Sequence, residues 1–176
     1  GFDSKHNTRS YWYDNIVNAG LYILSASICN QIPETGKTDL EKDLLLVRCG
    51  RDHNLFGYVS SEYVKDVGTI DRIEQADHDI LDGVVAAKNL SSKQRCLFMD
   101  RDGTLNVYRC LVSRQDDLAL EETAAEAVRL INRSPFLAGV VTNQPVVARG
   151  LCSIEEVEEI HRKMKTLLGN EGAYLD

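Results

Sequence analysis

The sequence has no apolar run that approaches the roughly 18 residues of a membrane-spanning helix, and it has no basic excess, since its formal net charge is −7 at pH 7. This charge argues against nucleic acid and anionic membranes as partners, because both select basic surfaces. The opening "GFDSKHNTRS" lacks the apolar stretch of a signal peptide. The five cysteines include no C-x-x-C pair, so neither a disulfide framework nor a zinc site is indicated. We therefore expect a soluble protein of the reducing cytoplasm.

The first half of the chain alternates short predicted strands and helices. Thr38, with Glu41 three residues later, forms a capping box that predicts the start of a helix. Residues 82–94 gather Gly, Ser and Lys without periodicity and are predicted to form a linker. Along the chain, the predicted elements before this linker are a strand at 17–25, a helix at 38–50, strands at 54–60 and 62–67, and a helix at 69–81.

The second half has a clearer pattern of strand, helix, strand and helix. "CLFM" at 96–99 and "FLAGVVT" at 136–142 are predicted buried strands, and 121–133 is a run of strong helix formers. Ser153 with Glu156 is a second capping box, and it predicts a helix that runs to Leu168. This order predicts an α/β fold, with a parallel sheet and helices on both faces.

Two carboxylates follow the first of these strands. Asp100 and Asp102 lie two residues apart in "FMDRDGTLN", and Thr142 ends the second strand. Ligands of open parallel sheets bind beyond the carboxyl ends of the strands, so these residues are expected to face one crevice. A Mg²⁺ ion would offset the repulsion between the carboxylates, and one carboxylate could then attack phosphorus while the other transfers a proton. Gly103 would allow the sharp turn that follows.

The string "DRDGTL", followed by a strand that ends in "VVTNQ", resembles the haloacid dehalogenase (HAD) superfamily of phosphatases. The longer string "DRDGTLN…TNQPVVARG" is similar to one branch, the D,D-heptose 1,7-bisphosphate and histidinol phosphatases. The resemblance covers about residues 95–176 and implies the amino-terminal part of a HAD-like, Rossmannoid parallel sheet. It also implies Mg²⁺ as cofactor and a small phosphorylated sugar as substrate.

The resemblance carries specific roles onto matching residues. It implies that Asp100 is the nucleophile, and that its carboxylate is a metal ligand together with the backbone carbonyl of Asp102. The Asp102 side chain would be the general acid and base. Thr142 would hold the transferring phosphoryl group through its hydroxyl, with Asn143 beside it. Arg149 would meet a remote anionic group of the substrate.

The chain also departs from this pattern. Pro145 stands where the family usually has a small residue, and "PVVARG" follows "TNQ". The family's later lysine, its later acidic motif and the Cys/His zinc loop of the branch are not recognisable within the 176 residues. We therefore expect a partial domain with weak activity by itself, and with open sheet edges that favour self-association.

Residues 1–81 have a second resemblance, to the carboxyl-terminal part of a sugar-1-phosphate nucleotidyltransferase. It rests on "VNAGLYILS", "LEKDLL" and "YVKDVGTIDRIEQA". It implies that Asn18, Gly20 and Glu41 line a sugar pocket and that Asp66 is a Mg²⁺ ligand. The implied unit is partial, since no Gly-rich nucleotide loop is recognisable in it.

Together the two resemblances imply a nucleotidyltransferase–phosphatase fusion, with a nucleoside triphosphate as a partner of the full-length protein. Lys5 weakly matches a phosphate-contacting lysine of the transferases. Two alternatives to the phosphatase stay open at this stage: a heptose or mannose 1-phosphate guanylyltransferase, and a non-catalytic fragment or binding module.

Overall fold

The computed structural model describes residues 11–47 and 55–176. The chain divides into two compact units. The described part of the first unit lies within Asn18–Val59, and the second unit combines Tyr11–Val17 with Ser60–Asp176. The stretch 11–17 therefore belongs by packing to the second half of the chain. The domain boundaries predicted at residues 81 and 95 stay a prediction.

The first unit contains short helical segments. Helix α1 spans Ala26–Cys29, and a π-helix spans Leu40–Leu45. The predicted helix at 38–50 is thus confirmed in its central part. Its amino-terminal cap is Asp39 rather than Thr38, because the Asp39 side chain accepts the hydrogen bond of the Lys42 amide at 2.9 Å. The predicted end of this helix, at Gly50, lies outside the described residues.

The strands predicted in the first half are wrong where the structure describes them. No strand is found at 17–25, at 55–60 or at 62–67. An extended segment becomes a strand only when its backbone N–H and C=O groups pair with a neighbouring strand. These apolar segments lack that pairing, so the α/β architecture expected of a nucleotidyltransferase unit is not found among the described residues of 11–47 and 55–81.

Two helices precede the sheet of the second unit. Helix α2 spans Ile70–Leu81, which confirms the helix predicted there, and α3 spans Val84–Ala87. The linker predicted over 82–94 thus contains a short helix, and its role as a linker stays a prediction. The ammonium group of Lys88, just after α3, pairs with the Asp176 carboxylate at 3.4 Å, and both side chains are buried. The segment is therefore anchored to the unit that follows it.

The sheet consists of two parallel strands within the described residues. Strand β1 spans Arg95–Met99, β2 spans Phe136–Val140, and helix α4, Ala124–Asn132, lies between them in sequence. The β–α–β order follows from the sequence, since parallel neighbours need a crossover connection. The predicted α/β class with a parallel sheet is confirmed, whereas helices on both faces stay a prediction.

Three further helical elements complete the second unit. They are a 3₁₀ turn at Gln115–Asp117, helix α5 at Pro145–Ala148 and helix α6 at Ile154–Asn170. The capping box predicted at the start of α6 is confirmed, because Ser153 and Glu156 exchange side-chain-to-backbone hydrogen bonds. Apolar side chains of α6 recur at helical spacing and face the core.

One hydrophobic core holds α4, β2, α6 and the loop before α4 together. Its members are buried to at least nine-tenths and provide most of the apolar stabilisation of this unit. They are Leu105, Val112, Leu118, Ala124, Ala125, Val128, Ala138, Ile160, Met164, Leu168 and Ala173.

The segment 11–17 packs against α6. The Thr166 hydroxyl accepts the Tyr13 amide at 2.9 Å, and the Trp12 indole donates to Gln115 Oε1 at 3.0 Å. The Lys163 ammonium group lies 5.4 Å from the centre of the Trp12 ring, a cation–π contact. These contacts explain why this stretch belongs to the second unit. In the part of the chain that the structure describes, no helix has the length and apolarity needed to cross a membrane.

Candidate active site

The carboxyl ends of the two strands open into one cleft. Asp100 directly follows β1, and the turn 142–144 follows β2. The Val141 amide donates to the Met99 carbonyl at 2.9 Å, which keeps the two strand ends side by side. The cleft has a volume of about 230 Å³. Its lining residues are Asp100, Asp102, Tyr108, Cys110, Leu111, Val112, Asn143, Gln144 and Pro145.

Asp100 offers an exposed carboxylate to this cleft. Its Oδ1 accepts the Arg101 backbone amide at 2.6 Å, which turns the side chain back over the strand end. A carboxylate anchored through one oxygen can present the other to a ligand. Asp100 is thus exposed at the cleft and has one carboxylate oxygen held by the backbone.

A tight turn positions the second carboxylate. The Arg101 carbonyl accepts the amides of Leu105 and Asn106, both at 3.0 Å, so the chain curls immediately after Asp100. Gly103 has φ +80°, in the left-handed region that glycine adopts without strain. This confirms the sharp turn predicted at Gly103. The turn brings Asp102 back into the cleft beside Asp100.

Asp102 is held through both carboxylate oxygens. Its Oδ1 accepts from Asn106 at 3.1 Å and from the Arg101 guanidinium at 3.0 and 3.2 Å. Its Oδ2 accepts from Arg101 at 2.9 Å and from Gln144 at 2.8 Å. Burial alone would raise the pKa of this carboxyl. The hydrogen bonds and the charge of Arg101 outweigh burial, so the pKa lies below its ordinary value and the resting group is a carboxylate.

Arg101 is completely buried behind the two carboxylates, with 0% of its surface exposed. Besides Asp102, its guanidinium donates to Gln144 Oε1 at 2.8 Å and lies 3.3 Å from His161 Nε2 on α6. Burial first, and then the adjacent Arg101 charge, lowers the pKa of His161, so its imidazole is neutral at pH 7. The motif D-R-D therefore buries its middle residue and leaves its carboxylates at the cleft.

The turn after β2 brings the Asn143 and Gln144 side chains to the cleft, whereas Thr142 is not among the residues that line it. Asn143 lines the cleft and is exposed, while the Thr142 hydroxyl accepts from Gln144 Nε2 at 2.8 Å. Gln144 thus joins Thr142 to Asp102. Arg149, the C-cap of α5, is exposed and is not among the residues that line the cleft.

Three residues of this site went unpredicted: Arg101, Gln144 and His161. Gln144 could have been found, since it directly follows Thr142 and Asn143 in the quoted "TNQ". His161 could not have been found in this way, because its position beside the apolar stripe of α6 carries no sign of a partner 60 residues earlier.

The residues predicted to form a sugar pocket lie elsewhere. Asn18 Oδ1 accepts the Gly20 amide at 3.0 Å, and Gly20 has φ +73°, so the two form an exposed turn. Glu41 is half-buried on the π-helix of the same unit. Asp66, which lies in the second unit, is exposed; its carboxylate accepts the Gly68 amide at 3.0 Å and pairs with Arg72.

The cleft offers oxygen atoms suited to Mg²⁺. The Asp100 carboxylate is a hard donor at the cleft, and Mg²⁺ binds through one or two carboxylates while it retains waters and substrate phosphate oxygens. The Asp100 side chain therefore fits the ion, whereas the Asp102 carbonyl stays a ligand that the sequence resemblance implies. Across 11–47 and 55–176, no group of three or more His, Cys, Asp or Glu residues is placed to hold a metal ion by itself. Lys5 lies outside the described residues.

Similar proteins are heptose bisphosphate phosphatases. The chain is 35% identical over 79 residues to the D-glycero-beta-D-manno-heptose-1,7-bisphosphate 7-phosphatase of Rhodopseudomonas palustris. The matched stretch covers 45% of this chain and 44% of that protein. The chain is 37% identical over 81 residues to the corresponding D-glycero-D-manno enzyme of Thermosynechococcus vestitus, covering 46% and 41%. The chain thus spans less than half the length of these relatives. No protein-family model matches it.

Two solved structures show likeness over the same share of this chain. One is a HAD-like phosphatase from Mesorhizobium loti, with 33% identity, a TM-score of 0.45, and coverage of 47% of this chain and 39% of that one. The other is the D,D-heptose 1,7-bisphosphate phosphatase of B. bronchiseptica, complexed with magnesium and phosphate, with 26% identity, a TM-score of 0.45 and 47% coverage of both chains. The relatives and these structural neighbours are phosphatases by name.

Proposed function

We propose that the cleft at the ends of β1 and β2 hydrolyses a phosphomonoester of a sugar with the help of Mg²⁺. The observation that supports this most is the pairing of an exposed Asp100 with an anchored Asp102 at one sheet edge. Heptose bisphosphate phosphatases as relatives support D-glycero-D-manno-heptose 1,7-bisphosphate as the substrate.

The proposed reaction has two steps. An Asp100 oxygen attacks phosphorus, the bond to the sugar oxygen breaks, and Asp102 delivers a proton to that oxygen. Water then attacks the aspartyl-phosphate, Asp102 takes its proton, and inorganic phosphate leaves. Bound Mg²⁺ would stabilise the charge that develops on the phosphoryl oxygens.

The protonation of Asp102 suits the second step directly. Its lowered pKa makes it a carboxylate, and hence a base, before substrate binds. For the first step it must hold a proton, and a dianionic phosphate in the cleft raises the pKa of a neighbouring carboxyl because like charges repel. We propose further that Thr142 and Asn143 hold the phosphoryl group and that Arg149 meets the second phosphate.

The test is phosphate release from the heptose bisphosphate, with Mg²⁺ and with EDTA. Both this chain and the product of the complete reading frame that encodes it should be assayed, and the chain by itself is expected to be the weaker enzyme. Asp100→Asn should abolish metal-dependent release, because an amide cannot attack phosphorus. Asp102→Asn should reduce it by about 10²–10⁴-fold. Metal-dependent phosphate release that persists in Asp100→Asn would exclude Asp100 as the nucleophile. A full-length product that is folded but inactive would favour a non-catalytic binding module.

We also propose the nucleotidyltransferase fusion, on the sequence resemblance of residues 1–81. In this proposal Asp66 is a metal ligand of the transferase site. The alternative is that Asp66 only stabilises a turn, through the hydrogen bond that its carboxylate accepts from the Gly68 amide. In the full-length product, Asp66→Ala should remove transfer of a nucleotide to a sugar 1-phosphate and leave phosphate release unchanged. Loss of both activities in a folded protein would contradict two independent sites.

A further inference from the structure

The most unusual group of the second unit is the buried charge of Arg101. A guanidinium stays ionised at any physiological pH, and burying it is costly unless each of its donors is paired. At 0% exposure it makes hydrogen bonds only to groups that belong to, or surround, the candidate site. If packing were its purpose, apolar residues in place of both Arg101 and Asp102 would serve as well, since replacing a whole buried ion pair in this way is often neutral or stabilising.

The partners of Arg101 come from three different elements. Asp102 lies in the turn after β1, Gln144 in the turn after β2, and His161 on α6. Gln144 closes a ring, because its Oε1 accepts from Arg101 while its Nε2 donates to Asp102 at 2.8 Å. Both ends of the Gln144 amide are thereby assigned, since an arginine can only donate and a carboxylate can only accept.

His161 is fixed by the same rule. Because Arg101 has no acceptor, the Nε2 atom that lies 3.3 Å from its Nη1 must be the unprotonated ring nitrogen, and the proton must lie on Nδ1. The Arg101 guanidinium thus contacts His161 of α6 through Nη1. It donates to both carboxylate oxygens of Asp102 through Nε and Nη2.

We propose that Arg101 is a positioning residue, which clamps Asp102 and Gln144 against α6 and so aligns the acid–base group of one strand end with the phosphate-binding turn of the other. This rests on the proposed phosphatase function for its kinetic consequences but not for its geometry. Arg101 itself touches neither the substrate nor the reacting atoms. A lysine could supply the charge but not the planar fork that holds two oxygens and an amide together.

The proposal separates two steps that a general structural defect would not separate. With p-nitrophenyl phosphate the leaving group departs without a proton, so attack by Asp100 does not require an aligned Asp102. Hydrolysis of the aspartyl-phosphate does require it, because the attacking water must lose a proton.

The kinetic experiment compares Arg101→Met, Arg101→Lys and the wild type in the full-length product with Mg²⁺. We expect Arg101→Met to release close to one equivalent of p-nitrophenolate rapidly and then to turn over about 10²–10⁴-fold more slowly than the wild type, with Arg101→Lys between the two. The exposed Arg133→Met is the matched control and should behave as the wild type. Unchanged turnover in Arg101→Met, or a burst that shrinks in proportion to turnover, would overturn the proposal.

A second experiment needs no activity and uses this chain directly. In ¹⁵N NMR at pH 7, the His161 ring, assigned with His161→Gln, should show the Nδ1–H tautomer in the wild type and a mixture of tautomers in Arg101→Met. The Gln144 side-chain amide should exchange with solvent faster in the same variant. A wild-type His161 with its proton on Nε2 would overturn the clamp. If the wild type hydrolyses no phosphate ester, the proposed function fails, and the NMR result alone decides whether the clamp exists.

Discussion

Replacing the buried Lys88 should destabilise the second unit far more than the sequence of its surroundings suggests. Lys88 lies in the Gly-, Ser- and Lys-rich stretch that predicts a solvated linker, where a charge substitution would cost almost nothing. In the structure its side chain is 3% exposed and its Asp176 partner 5%. The ammonium group also donates to the Tyr174 hydroxyl at 3.1 Å and lies 5.0 Å from the centre of that ring.

The expected magnitude follows from what Lys88→Met leaves behind. Methionine fills nearly the same volume but leaves the Asp176 carboxylate buried and without its counter-ion. Removing one partner of a buried ion pair costs about 3–5 kcal/mol. Each kcal/mol lowers the midpoint of thermal unfolding by about 2–4 °C in a protein of this size, so a fall of about 6–20 °C is expected.

The double variant distinguishes an unpaired charge from a lost contact. Asp176 Oδ2 also accepts the Ala138 amide of β2 at 2.9 Å, and an asparagine could still accept this bond. The double variant Lys88→Met, Asp176→Asn should therefore be more stable than Lys88→Met alone, because no charge is left unpaired.

The assay is urea unfolding followed by circular dichroism, with Arg72→Ala as control. Arg72 pairs with Asp66 in the same unit, but both side chains are more than half exposed, so its loss should cost less than about 1 kcal/mol. If Lys88→Met costs no more than the control, the stretch behaves as a linker in solution and the reasoning from burial is refuted.

Three smaller perturbations test the turn of the site and the segment 11–17. Gly103→Ala should cost about 1–2 kcal/mol in urea unfolding, since φ is +80° there, although an added Cβ would meet the Tyr108 side chain only at an ordinary contact distance of 3.6 Å; no cost would mean that the turn is not left-handed. Thr166→Val should destabilise the chain by about 1–3 kcal/mol and Thr166→Ser far less, because the valine removes the two hydrogen bonds that the Thr166 hydroxyl makes to backbone groups of segment 11–17; equal losses would exclude the hydroxyl as the cause. A hydrogen bond from a lysine of α6 holds the pKa of Asp14 below 3.8, so its share of the docking energy is present above that pH and is lost as the pH falls through the lowered value. Fluorescence of Trp12, the single tryptophan, should report this loss in the wild type and not in Asp14→Asn; identical acid titrations would exclude Asp14.

Local patterns in the second half were sufficient to predict its two strands and its two longest helices, but not the 3₁₀ turn at Gln115–Asp117 or helix α5. The capping box at Ser153 and the helical spacing that follows depend on neighbours within one or two turns, and α6 begins where they indicate. The position of Asp100 and Asp102 at the end of the predicted strand 96–99 likewise predicts a place at the sheet edge, because parallel strands share that edge. The burial predicted for this strand is wrong, since Leu97 and Phe98 of β1 are exposed. Both features depend on residues that are close in sequence, so a single sequence is enough to predict the start of α6 and the position of the two carboxylates.

The failures in the first half have the opposite origin. "VNAGLYILS" has the composition of a strand, but a strand is defined by hydrogen bonds to a partner, and composition does not supply the partner. Exposed fractions of 82% for Leu21 and 104% for Ile23 show that these apolar side chains are not buried in this structure. Sequence also misplaced the cap of the π-helix by one residue, since Thr38 and Asp39 can each accept a helix amide and only the backbone geometry chooses between them.

In the proposed mechanism, the burial of Arg101 is what gives two carboxylates two residues apart different roles. Without a counter-charge, Asp100 and Asp102 would repel each other and would share one environment. The guanidinium pairs with Asp102 and leaves Asp100 alone, so one carboxylate is gripped through both oxygens while the other stays exposed to the cleft. Environments that differ in this way are what assigns separate roles to paired carboxylates in acid–base and nucleophilic catalysis. The residue between them is therefore as much a part of the site's chemistry as the carboxylates, and its partners are 43 and 60 residues away in the chain. The motif D-x-D-G-T does not specify the residue between the two carboxylates. The sequence alone therefore predicts the carboxylates, but it does not predict that the residue between them gives them different environments.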